Sequence, residues 1–170
     1  MIDFTKSKQY TLSIRLSTDG FSFSIYNPIH DDSLSIIEKE IDTSLSLTAN
    51  LKAVFHESDF LNHPYKRVNI MMASKRFTIA PLDLFEEGQA ELLFYHNHQK
   101  RENETVLYNI LRKNNVAVIF GIDKSAQTFL NEQYPEARFY SQSTPFIDYF
   151  SVKSRLGNSK KMYALSLIHI

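Results

Sequence analysis

Tyr10, Leu12, Ile14 and Leu16 take every second position against Thr11, Ser13, Arg15 and Ser17. After Asp19-Gly20 the alternation resumes, with Phe21, Phe23 and Ile25 against Ser22, Ser24 and Tyr26. A period of two marks strands with one buried face. Asp-Gly between two such runs is a favoured hairpin turn, because both of its positions tolerate positive φ. That turn predicts Leu16 opposite Phe23, Ile14 opposite Ile25 and Arg15 opposite Ser24, one face apolar and the other polar.

Asn27-Pro28 ends the second run, and Leu34 to Ile41 reads as a third strand, its alternation blurred at Ile36-Ile37. Leu47, Leu51, Val54 and Phe55 then fall on one face of a helix, with Ser44 or Ser46 as cap and His63-Pro64 as its end. Val68 to Met72 and Phe77 to Ala80 predict short strands around Ala73-Ser74. Between Pro81 and Tyr95 the pattern fits helix or strand, and His96 to Thr105 reads as a polar loop. Val106 to Leu111 and Val116 to Ile122 are strands joined by a turn at Arg112 to Asn115, Asp123 to Gln133 is a helix, and Arg138 to Tyr140 a short strand. Thr144 as N-cap and Pro145 at the first helical position open a last helix that Gly157 stops. Three strands in series, then alternating helices and strands, predict an α/β domain built on a mixed sheet with helices on its faces.

Composition narrows the chemistry. Nineteen basic and 19 acidic residues cancel, so a nucleic-acid partner is disfavoured without a local basic patch. Basic pairs are scattered along the chain; Lys75-Arg76 and Arg112-Lys113 both flank expected hairpin turns. With no cysteine, disulfides, thiol nucleophiles and Cys-ligated zinc drop out. The N-terminus lacks the apolar core of a signal peptide, and no segment reaches the ~20 apolar residues of a membrane span. The expected compartment is cytoplasmic, with no membrane partner.

The order of three meandering strands followed by alternating helices and strands resembles the ribonuclease-H-like domain, of which actin-like ATPases contain two. Three stretches are similar to the bacterial family called domain of unknown function 3822, which has that actin-like fold. They are Leu12 to Phe23, Val116 to Ile122 and the helix after Pro145. The resemblance runs from about Tyr10 to Ala164. It implies an N-terminal ribonuclease-H-like domain over residues 1–157 and the opening strand of a second domain over 158–164, the chain being a fragment. Leu165 to Ile170 reads like the translation of a sequencing adapter, a tail foreign to the protein.

Actin-like ATPases bind phosphate at the turn between their first two strands, using an Asp near the end of strand one followed by Gly and Thr or Ser. The resemblance carries that motif onto Ile14 to Thr18, where Arg15 takes the place of the carboxylate and Ser17 that of the Gly. A guanidinium has no lone pair to offer Mg²⁺. Ser17, Thr18 and Ser22 remain as the hydroxyls able to meet a phosphate. Nuclease chemistry loses its strand-one carboxylate by the same substitution. His96-Asn97-His98 would point two rings the same way on an extended segment, yet no acid accompanies them and a solvated loop explains them. No catalytic residue, metal site or cofactor is expected. The reading is a non-catalytic scaffold or interaction domain with a protein partner of unknown identity. The alternative is a nucleotide-binding protein whose remaining site residues lie in a second domain.

Overall fold

A computed structural model describes residues 2–29 and 34–157. The expected strand at 158–164 and the tail at 165–170 lie outside the described residues. Among the described residues, eight strands divide into two sheets. Strands β1 (Thr11–Ser17), β2 (Phe21–Tyr26) and β3 (Leu34–Lys39) form an antiparallel meander. Helix α1 (Leu47–Glu57) then leads into β4 (Arg67–Ala73), which lies parallel to β1. The chain next leaves this sheet and builds a second one from β5 (Phe77–Pro81), α2 (Ala90–Asn97), β6 (Glu104–Leu111) and β7 (Val116–Asp123). It returns through α3 (Lys124–Gln133) to β8 (Arg138–Ser141), parallel to β4, and α4 (Ser143–Leu156). The main sheet has the order β3-β2-β1-β4-β8 and the inserted sheet β5-β7-β6.

Alternation is realised in full on β1, where Leu12, Ile14 and Leu16 are buried and the residues between them are not. These three and their β2 counterparts Phe21, Phe23 and Ile25 pack beneath α1 and α3 through Leu51, Val54, Phe55, Ala126 and Leu130. Phe120 and Ile122 of β7 join the same core, so the inserted sheet is continuous with it.

The hairpin register differs from the sequence expectation by two residues. Leu16 faces Phe21, Ile14 faces Phe23 and Arg15 faces Ser22. The turn's central residues are Thr18 and Asp19, and Ser17 N–H donates to the Gly20 carbonyl at 3.1 Å. Gly20 is required by a close approach. At φ 156° a Cβ placed on it would sit 2.9 Å from the Lys39 carbonyl oxygen, at the end of β3. Because the slip is even, every side chain keeps its face.

Three further expectations are corrected. Lys75-Arg76 does not flank a hairpin turn: β4 is already paired on both edges, by β1 and β8, so β5 pairs with β7 instead. Thr144 is not an N-cap. Helix α4 begins two residues earlier, at Ser143, and the Thr144 hydroxyl donates to Asn109 Oδ1 at 2.7 Å. His96 and Asn97 belong to α2 rather than to an extended loop; His98 approaches the Phe77 carbonyl at 3.1 Å through Nε2 and packs on Phe94, while His96 is exposed. Ser46 caps α1, accepting from Ala49 N–H at 3.1 Å.

Candidate functional site

Open space adjoins the main sheet in two places that bear on the expected site residues. The first, of about 360 Å³, lies where the carboxyl ends of the parallel strands β1 and β4 meet the inserted sheet. Ser17 and Thr18 come from the β1–β2 turn, Ser74 from the end of β4, and Glu104, Gly121 and Asp123 from β6 and β7. The second is a groove of about 560 Å³ on the outer face of the sheet, beside α4. Ser22 lines this groove and not the junction, so the structure brings Ser17 and Thr18 together but leaves Ser22 on another surface.

At the junction several of the polar groups already have partners. The Ser17 hydroxyl is hydrogen-bonded to the Asp19 carboxylate. That bond, with help from the Asp19 backbone and the charge of Arg15, holds the Asp19 carboxyl below its ordinary range. Arg15 itself points along the outer face, where Nε donates to Gln142 Oε1 at 3.4 Å. Asp123 caps α3 by accepting from Ala126 N–H at 2.8 Å, and takes a second bond from Asn103 Nδ2 at 2.7 Å. Among the described residues no group of three or more His, Cys, Asp or Glu is placed to hold a metal ion.

Two polar fastenings that the sequence did not reveal lie here, the first within the inserted sheet and the second joining that sheet to β8. Arg76 grips Glu104 with two bonds, 2.9 Å from Nε and 2.7 Å from Nη2, and also donates to the Gln99 carbonyl at 2.8 Å. The Glu104 side chain is only 6% exposed. Gly121 makes room for it, since a Cβ there would fall 2.4 Å from Glu104 Oε1. Further along, the Asn109 amide donates to the Phe139 carbonyl at 2.9 Å and accepts from Ser141 N–H at 3.0 Å. One side chain thus serves β8 as a neighbouring strand's peptide group would.

A meander of three antiparallel strands continued by two parallel ones, with helices on both faces, defines a ribonuclease-H-like domain of the actin-like ATPase fold. The chain belongs to the family "Protein of unknown function (DUF3822)", whose model matches residues 1–166. A crystal structure from Bacteroides thetaiotaomicron, described as a protein with actin-like ATPase fold and unknown function, is similar at 82% identity with a TM-score of 0.88. The match covers 93% of this chain and 62% of that one, so the chain spans less than two thirds of that relative's length. Among curated proteins none matches. No helix among the described residues is long and apolar enough to cross a membrane.

Proposed function

We propose that this domain is a non-catalytic interaction module on an actin-like fold whose nucleotide chemistry has lapsed. The observation that carries the reading is the β1–β2 turn. No carboxylate lies on β1, Arg15 is turned toward Gln142, and the Ser17 hydroxyl is committed to Asp19. An incoming phosphate would meet the Asp19 charge at the tip and would have to displace an existing hydrogen bond to reach Ser17. The inserted unit supports the interaction half of the reading, for it exposes Ile79 on β5, Leu84 shortly after that strand and Leu92 on α2. Isolated exposed apolar residues are ordinary, but an appended sheet carrying several is a suitable contact surface.

The second reading, nucleotide binding completed by residues outside this domain, is favoured by the junction's position at the carboxyl ends of parallel strands, where α/β sheets usually bind ligands. Thermal unfolding of the chain, and of the longer Bacteroides relative, with and without millimolar ATP and Mg²⁺ separates the two. A ligand at ~100 times its dissociation constant adds ~2.7 kcal/mol. The expected result is an unchanged midpoint in both proteins. A Mg²⁺-dependent rise in either overturns the first reading.

A further inference from the structure

The end of the main sheet opposite the junction has a cleft of its own, of about 580 Å³. Thr11, Arg67 and Arg138, the first residues of the parallel strands β1, β4 and β8, all line it. So do Tyr65 and Tyr134, whose phenols are tied to one short turn. Tyr65 donates to the Phe60 carbonyl at 2.7 Å and Tyr134 to the Leu61 carbonyl at 2.6 Å. Burial pushes the Tyr65 phenol up to about 12 and raises that of Tyr134 as well, so both rings stay neutral. Pro28, Pro64 and Pro135, three of the chain's five prolines, also line the cleft. Their locked φ stiffens the rim, and a rim that is already rigid loses little freedom when a ligand arrives.

The charges here are unbalanced. Lys66, Arg67 and Arg138 face one acid, Glu136, in a chain whose 19 basic and 19 acidic residues otherwise cancel. All four residues are exposed. Among the described residues none of the three cations forms an ion pair, with Glu136 or with any other acid. A cleft lined by one sign of charge concentrates ions of the other. The register also sets a spacing. Arg138 pairs with Asn69, and Arg67 lies two residues before Asn69 on the same side of β4. The two arginines therefore start about 8 Å apart, one strand across and two residues along. In an extended chain, side chains at i and i+2 share a face at ~6.6 Å. Each guanidinium can grip a carboxylate with two parallel hydrogen bonds.

We propose that this cleft binds an extended acidic segment of a partner protein, two carboxylates at i and i+2 meeting Arg67 and Arg138. Lys66 supplies a third cation beside them. A nucleic acid is the poorer match, because its affinity is built from many neutralised phosphates and this cleft sets three cations against Glu136. The inference rests on the interaction half of the proposed function and names the partner's chemistry. It does not depend on the junction, and binding is measured without nucleotide, so failure here leaves the ATP test unaffected.

Fluorescence anisotropy of the 170-residue chain tests it, with a labelled peptide in which Glu alternates with Ser over about eight residues as the probe. The expected result is saturable binding that weakens as salt rises. Changing Arg67 and Arg138 together to Gln should weaken it at least about tenfold, and Glu136→Gln should tighten it. All three positions are exposed, so the unfolding midpoints of these variants should match that of the parent. Absence of saturable binding overturns the inference. Equal binding by the double variant does so too, for it would place the peptide elsewhere. So would equal binding of a probe with Gln in place of Glu, and tighter binding of an oligothymidylate of similar length would make the ligand a nucleic acid.

Discussion

The main sheet and the inserted sheet are held by different physics. The main sheet rests on an apolar layer in which Leu12, Ile14, Phe23, Ile70 and Leu51 are all fully buried. The inserted sheet shares part of that layer through Phe120 and Ile122, and has a small core of its own around Phe94, Ile119, Ala80 and Ala90. Arg76 at the start of β5 clamps Glu104 of β6 within it, and Asn109 fixes it to β8 of the main sheet through directional polar contacts. Apolar burial tolerates small slips; paired hydrogen bonds do not. An insertion fastened in this way can diverge in its surface while keeping its position.

The strongest test of the contrast is Phe23→Ala. It removes a ring that is fully buried and in edge contact with Phe60, and should cost about 3–5 kcal/mol by denaturant titration. A loss below ~1 kcal/mol would show that the apolar layer is not what holds the main sheet. Next comes Arg76→Met, which leaves Glu104 buried without its partner and should cost about 3 kcal/mol. Because Arg76 ties the start of β5 to β6, the variant should lose exchange protection first in β5 to β7, ahead of β1 and β2; uniform loss would refute a fastening role. Asn109→Ala comes third. It strips bonds from Phe139, Ser141 and Thr144 together and should cost about 1–3 kcal/mol. Asn109→Asp would keep the acceptor and lose the donor, so recovery of part of the stability by Asp would assign the remainder to the Phe139 carbonyl. Ser24→Ala on the outer face should change stability by less than about 0.5 kcal/mol, and a larger loss would mean that this face is more tightly packed than the groove implies.

The same division explains what could be read from the sequence. Burial repeats with the period of the local structure, so β1, β2, α1, β7 and α3 were visible in runs such as Leu12 to Leu16 and Val116 to Ile122. Asn109 and Glu104 left no such trace. Their partners lie about 30 residues away, and nothing in a run of eight β6 residues marks one polar side chain as the one that matters. The hairpin slipped for a related reason. Asp19-Gly20 satisfies a local rule for turns, but the position of Gly20 is decided by the Lys39 carbonyl, in a strand that the turn cannot foresee. Likewise Ser17, Thr18 and Ser22 are close in sequence, and the pleat sends the last of them to a different surface.

The Asn109 amide has a consequence for how this molecule can associate. A sheet normally has two open margins and can lengthen in both directions, which is how strand-by-strand fibres grow. Here the outward peptide groups at the centre of β8 are already occupied by a side chain, so among the described residues β3 is the main sheet's remaining free margin. A sheet with one adhesive margin can meet the same sheet of a second copy and then has nothing left to offer a third. Strand addition through this sheet therefore ends at a closed pair, and a single carboxamide separates that outcome from an endless ladder.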